Sequence, residues 1–204
     1  LGPVEGARIL DLGCGSGHNA VTLAQQGAKV IAVDPSAAHL GMARERAERA
    51  EVRVELHQAG LAELAFLRSD SVDAAISVMA LASVDDVARV FRQVHRVLKP
   101  EAPLVCSFPH PAFAMFDPTG ADPLRVGRPY DQSDPLQWDL GPDVVTDHPR
   151  TVGEIFTTLH RASFFVDQLL EPTAAARGAH SSTFTDAMVA VPATLIIRAR
   201  KQGN

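Results

Sequence analysis

The stretch Asp11-Leu12-Gly13-Cys14-Gly15-Ser16-Gly17 sets a carboxylate two residues ahead of three alternating glycines, and a second carboxylate, Asp34, follows seventeen residues after the last glycine. Glycines in such a turn permit positive φ and let a ligand approach the backbone closely. A carboxylate closing the next strand can accept hydrogen bonds from both hydroxyls of a ribose. The ligand expected is therefore of nucleoside type. Nicotinamide-dinucleotide folds space their glycines G-x-G-x-x-G, but the residue three after Gly15 is His18, and the third glycine comes one position sooner. Asp11 would also repel a pyrophosphate, whereas an ammonium or sulfonium is drawn to it. The pattern favours a cationic nucleoside over a dinucleotide.

The elements that must position these groups are legible from periodicity. Arg8 to Leu12 reads as a short apolar strand that hands over to a helix, Asn19 to Gln26, ended by Gly27. Lys29 to Val33 is a second strand. Asp34-Pro35-Ser36 leads into a helix over Ala37 to Ala50 with Ser36 as N-cap. Val52 to His57 and Val72 to Val78 are the third and fourth strands. Val87, Val90, Phe91, Val94, Val97 and Leu98 follow helical spacing up to Lys99-Pro100, and Pro103 to Phe108 is the fifth strand. Strands alternating with helices at this spacing predict an α/β fold with a mostly parallel sheet covered on both faces.

Pro109 to Arg150 breaks this rhythm. It is rich in Pro, Asp and Gly, and an irregular stretch of that length in a compact domain is expected to act as a lid or substrate loop. Thr151-Val152-Gly153-Glu154 then fits a capping box opening a helix that buries Val152, Ile155, Phe156 and Leu159. Phe165 to Leu170 and Thr194 to Ala199 are expected as two last strands with no helix between them, hence antiparallel. One domain over 1–204 is expected.

A chain of 204 residues with 46% hydrophobic and 21% charged residues can bury a core of its own. Its net charge of −5 argues against a nucleic-acid partner. No apolar run reaches the roughly 18 residues of a membrane span. Leu1 to Gly6 lacks the basic start and apolar stretch of a signal peptide. The two cysteines, Cys14 and Cys106, suit neither a metal nor a disulfide framework, so a cytoplasmic location and no metal are expected.

The loop and Asp34 together resemble the class I S-adenosylmethionine-dependent methyltransferases, whose most specific signature is a D-x-G-x-G-x-G loop with an acidic residue closing the next strand. Asp70-Ser71-Val72-Asp73 and Leu98-Lys99-Pro100 look like that family's turns into strands four and five. The resemblance implies a doubly wound sheet of seven strands in the order 3-2-1-4-5-7-6, the last one antiparallel. It implies S-adenosyl-L-methionine as cofactor and S-adenosyl-L-homocysteine as product. Carried over by position, Gly13, Cys14, Gly15 and Gly17 would line the methionine part and Asp11 would orient its amino group. Asp34, with Pro35 and Ser36 behind it, would hold the ribose, and Ser77 and Val78 would lie beside the transferable methyl. Gly60-Leu61 falls where the family usually has Asp-Ala beside the adenine, which leaves the Leu61 backbone N–H as the expected contact. Only ten residues precede Asp11, where the family has helices that close over the cofactor, so either this form is trimmed or its lid comes from elsewhere.

His110, in Phe108-Pro109-His110-Pro111, stands at the carboxyl edge where open sheets do their chemistry, its ring aimed by the flanking prolines. His110, with His148 as second candidate, is expected to deprotonate or orient an oxygen or nitrogen nucleophile. Tyr130, Trp138, Phe113 and Phe116 could wall the acceptor. His95 and His160 are expected at the surface, and His39, His57 and His180 carry no signal. The expected partners are a small-molecule methyl acceptor and, for assembly, a homodimer. Two rivals stay open: a protein that binds the cofactor or its product without catalysis, and an NAD-dependent oxidoreductase.

Overall fold

A strand buried on both faces reads as an unbroken apolar run, and in β1 (Arg8–Leu12) Ile9, Leu10 and Leu12 are fully buried. In the computed structural model, which describes residues 1–116, 124–139, 144–173 and 187–203, β1 is an interior strand of a seven-stranded sheet. β2 (Lys29–Asp34) and β3 (Val54–Gln58) extend it on one side, β4 (Ala74–Val78) and β5 (Pro103–Pro109) on the other, all parallel. A hairpin of β6 (Leu136–Asp139) and β7 (Val144–Asp147) stands apart from the sheet. β8 (Phe164–Leu170) and β9 (Thr194–Lys201) complete the order β3-β2-β1-β4-β5-β9-β8, β9 running antiparallel to both neighbours. Leaving out the hairpin, this is the expected 3-2-1-4-5-7-6.

Alternation along β1 divides the core in two. Leu10 and Leu12 face a cluster shared with α3 (Val87–Val97) and α5 (Val152–Arg161), while Ile9 faces α1 (His18–Gln25) and α2 (Ala37–Arg49). On α3 the buried positions Val87, Val90, Phe91, Val94 and Val97 form one stripe. Asp86 caps the helix by accepting the Arg89 N–H at 2.9 Å. The capping box of α5 is present: Thr151 Oγ1 accepts the Glu154 N–H at 3.1 Å and Glu154 Oε2 accepts the Thr151 N–H at 2.7 Å.

Four expectations are corrected. The stretch 109–150 is not structureless: it holds the short helix α4 (Pro111–Ala114) and the β6–β7 hairpin. A helical turn, α6 (Ala187–Ala190), does lie between β8 and β9. Phe156 is 49% exposed, because the buried stripe of α5 runs through Ile155 and Leu159 instead. His95 turns inward, its Nε2 buried and its ring edge-on to Phe164 at 5.4 Å. Among the described residues no helix is long and apolar enough to cross a membrane.

Parallel strands carry β1, β2, β4 and β5 to a common carboxyl edge, where Asp34 lies opposite Gln58 and Val78 opposite Ser107. Phe91 is fully buried and packs edge-on against Phe164 at 6.5 Å. We expect Phe91→Ala to lower the unfolding free energy by about 3–5 kcal/mol, measured by urea denaturation. A loss under 1 kcal/mol would contradict this account of the core.

Candidate functional site

The glycine loop is bound to the sheet before any ligand is considered. Gly13 and Cys14 donate their N–H groups to Val33 O at 2.8 and 3.2 Å, and Arg46 Nε donates to Ser16 O at 2.9 Å. A Cβ on Gly13 would come within 2.1 Å of Ala80 Cβ, so only glycine lets the loop pack there. Gly17, the residue before α1, is likewise constrained: a Cβ on it would come within 2.8 Å of Ala43 Cβ. Gly15 differs: at φ +51 a Cβ on it would meet nothing within 4 Å. The outer glycines serve packing, and the middle one leaves open space over the turn.

Beneath that turn lies Asp11. It is 1% exposed, and neither carboxylate oxygen has a hydrogen-bond partner. Burial pushes its pKa up to about 7; nearby Asp34 adds to the rise, while the Ala20 backbone N–H pulls the other way without closing a hydrogen bond. An orphaned buried carboxylate is relieved by a cation brought to it. Cys14 belongs to the same neighbourhood. It is buried in the core cluster, and its thiol pKa is pushed to about 12 by burial and by the two aspartates, which suits packing and not nucleophilic chemistry.

Asp34 is equally buried but well partnered. Its Oδ2 accepts the Gly15 N–H at 2.9 Å, and Oδ1 accepts the Ser36 N–H at 2.9 Å and faces His39 Nδ1 at 3.2 Å. Ser36 Oγ caps α2 by accepting the His39 N–H at 3.3 Å, so Pro35 and Ser36 form the turn that braces Asp34. A carboxylate offers about four lone-pair directions, and one remains for a further donor. His39, which carried no signal in the sequence, thus touches the site.

Gly60 and Leu61 follow β3 along the same edge. The Ala59 N–H donates to Asp34 O at 3.3 Å, and Leu61 is buried, its Cδ1 3.6 Å from where a Gly13 Cβ would sit. At the end of β4, Ser77 is fully buried with its hydroxyl donating to Leu12 O at 2.8 Å. Val78 is 48% exposed there and offers a bare apolar surface. Met79 is held in the left-handed region at φ +63, its N–H donating to Ser107 O and Oγ, both at 3.1 Å.

The two candidate histidines have different partners. His110 is buried, and its Nδ1 accepts the Ala112 N–H at 3.1 Å as the cap of α4. Its Nε2 lies 2.8 Å from Glu171 Oε1, at the end of β8. A neutral ring so placed carries its proton on Nε2 and donates it to Glu171, which leaves no free lone pair for proton abstraction. The expected base is therefore an anchored donor here, and Glu171, 61 residues away, is a neighbour the sequence did not announce. His148 instead lines a small cavity of about 50 Å³ together with Phe108, Pro111, Leu136 and Ile155. Its Nδ1 stands 3.6 Å from Asp85 Oδ1. Arg150, also missed, donates to the carbonyls of Leu81, Val84 and Asp85 and so straps this segment to the turn after β4. Tyr130 accepts the Val152 N–H at 3.4 Å, and Phe113 and Phe116 are half-buried. The Trp138 side chain and His180 lie outside the described residues. Among the described residues no three metal-ligating side chains cluster.

Residues 9–101 match a family model described as a methyltransferase domain. The chain is 38% identical over 107 residues to the ubiquinone biosynthesis O-methyltransferase of Alkalilimnicola ehrlichii, covering 52% of this chain and 43% of that protein. It is 33% identical over 107 residues to the protein of the same name from Azorhizobium caulinodans, covering 52% and 42%. The chain thus spans less than half the length of these curated relatives. An S-adenosylmethionine-dependent methyltransferase from Mesorhizobium loti, known as a crystal structure, superposes with a TM-score of 0.77 at 31% identity, over 98% of this chain and 93% of that one.

Asp11 also generates a stability prediction. Its pKa is raised from 3.8 to about 7 in the folded chain, so the fold binds this proton more tightly than the unfolded state does. The resulting stability is complete below about pH 4 and is lost as pH rises towards 7, by roughly 1.4 kcal/mol per unit. Asp11→Asn keeps the shape without the titration. Urea unfolding at pH 5 and pH 7.5 is expected to find the variant gaining on the native chain at the higher pH; an equal difference at both would refute the shift.

Proposed function

The chain belongs to the class I S-adenosylmethionine-dependent methyltransferase family, and from that premise we propose that it transfers the cofactor's methyl group to an oxygen or nitrogen of a small molecule. The observation that carries the reading is the partnerless carboxylate of Asp11 under a glycine turn that opens onto free space at Gly15. That environment suits a ligand with a positive charge and opposes a pyrophosphate, which counts against the NAD-dependent rival.

The residues present fit the cofactor. Asp11 would hold its ammonium, the backbone at Gly13, Gly15 and Gly17 its amino-acid chain, and Asp34 its ribose, with Leu61 against the base. When bound, the cofactor supplies an electrophilic methyl group on a sulfonium; what remains for the chain is to position an acceptor and keep water away. Val78 and Met79 give that position an apolar wall. The stretch 109–150 serves as the lid, strapped down by Arg150, and its cavity beside His148 favours an acceptor with an apolar body. The O-methyltransferase name of the two relatives supports oxygen as the methylated atom. His148, half-buried in that cavity, is the better placed of the two histidines to meet an acceptor, while His110 anchors Glu171 at the sheet edge. Two buried free thiols fit a reducing cytoplasm.

Calorimetry at pH 8 tests the cofactor half of this reading. S-adenosylhomocysteine is expected to bind and NAD not to, with Asp34→Ala weakening the former about ten- to hundredfold through lost charge-assisted hydrogen bonds. Binding of NAD alone would sink it. The transfer half is tested by incubating the protein with methyl-labelled cofactor and a small-molecule cell extract. Label is expected in a low-mass product, and its absence with every extract tried would leave binding without catalysis.

A further inference from the structure

Glu171 follows directly on β8, where three strands converge at the carboxyl edge of the sheet. Pro109, the last residue of β5, lies opposite Thr194 at the start of β9, and Leu170 lies opposite Ile196. The His110 N–H donates to Ala193 O at 3.0 Å and ties β5 to β9 just beyond that pairing. The His110 side chain is 6% exposed, whereas the Glu171 side chain it holds is 47% exposed. Because its Nδ1 is taken by the Ala112 N–H, the ring can serve Glu171 only as a neutral donor. It fixes Oε1 without neutralising the carboxylate. Oε2 has no hydrogen-bond partner, and no Lys or Arg pairs with either oxygen among the described residues. A half-exposed carboxylate is thus held by a side chain whose own burial is costly, with one oxygen left over.

We propose that Glu171, positioned by His110, recognises a positively charged amine on the methyl acceptor. The assignment rests on the methyl-transfer reading above and adds a charge to the acceptor. Val78, assigned to the surroundings of the methyl, lies opposite Ser107, three residues before His110. The carboxylate therefore stands at the same edge, on the side of β5 away from the glycine loop. Phe108 and Pro111, on either side of this turn, line the apolar cavity beside His148. An apolar body lodged there and an amine at Glu171 belong to one short molecule. A carboxylate only accepts. An ammonium both donates to it and neutralises it, a hydroxyl only donates, and a second carboxylate is repelled.

The probes are three molecules that share one aromatic body: 2-phenylethylamine, 2-phenylethanol and 3-phenylpropionate. Each is titrated at pH 7.5 into the chain loaded with S-adenosylhomocysteine, and binding is read by NMR. The amine is expected to bind about tenfold tighter than the alcohol, and the acid weakest of all. Glu171→Gln keeps an oxygen for the His110 ring but removes the charge, so amine and alcohol should then bind alike. His110→Phe frees the carboxylate to swing and should cut the preference about threefold; an unchanged preference overturns the positioning role. Calorimetry with S-adenosylhomocysteine checks that each variant is folded. Equal binding of amine and alcohol by the native chain, no binding of the amine, or a preference that survives Glu171→Gln overturns the assignment while the cofactor reading stands. A native chain that does not take up S-adenosylhomocysteine overturns the reading and the assignment together.

Discussion

The whole arrangement turns on a carboxylate that cannot be satisfied by the protein alone. Asp11 sits one residue before the end of a strand whose other side chains fill the core, so it is buried by the same packing that stabilises the sheet. Water is excluded and Asp34 stands nearby, so the negative form is costly until a positive charge arrives. Asp34 is buried as well, yet the backbone supplies it with two N–H groups and α2 supplies His39. One carboxylate is built into the frame; the oxygens of the other have no hydrogen-bond partner. The glycine turn follows from this placement, since a side chain on Gly13 would collide with Ala80 and drive the loop off its anchor on Val33.

What could be read from the sequence was what is local. The alternation of glycines, the spacing to Asp34, the period of α3 and the capping box at Thr151 are each decided by neighbours within a turn or a strand, and they stand as read. Phe156 failed because an apolar residue one step off the stripe of α5 still looks apolar in a list of letters. His95 failed for the complementary reason: its ring finds Phe164, 69 positions away, across the core.

The carboxyl edge of the sheet was harder still, because its contacts join distant segments. His110 meets Glu171 from two strands over, Arg46 reaches back to Ser16, and Arg150 gathers carbonyls from the turn after β4. Nothing in the spacing of those residues announces such pairs. The prolines around His110 did mark a fixed ring, but what fixes it is a backbone N–H on one nitrogen and a carboxylate on the other. Rigidity was legible and its purpose was not. Residues 109–150 followed the same logic: their Pro and Gly content disguised a helix and a hairpin whose pairing only appears once β7 lies against β6.

On the proposed reading a bound cation replaces the proton that burial holds on Asp11. Titrating S-adenosylhomocysteine at pH 6.5 in phosphate and in imidazole, whose ionisation enthalpies differ widely, reads that exchange directly. Apparent binding heats are expected to differ between the buffers by the release of most of one proton, with no difference once Asp11 is replaced by Asn. Equal heats in both buffers for the native chain would mean that Asp11 is already ionised without its ligand, and the explanation built on it would be wrong.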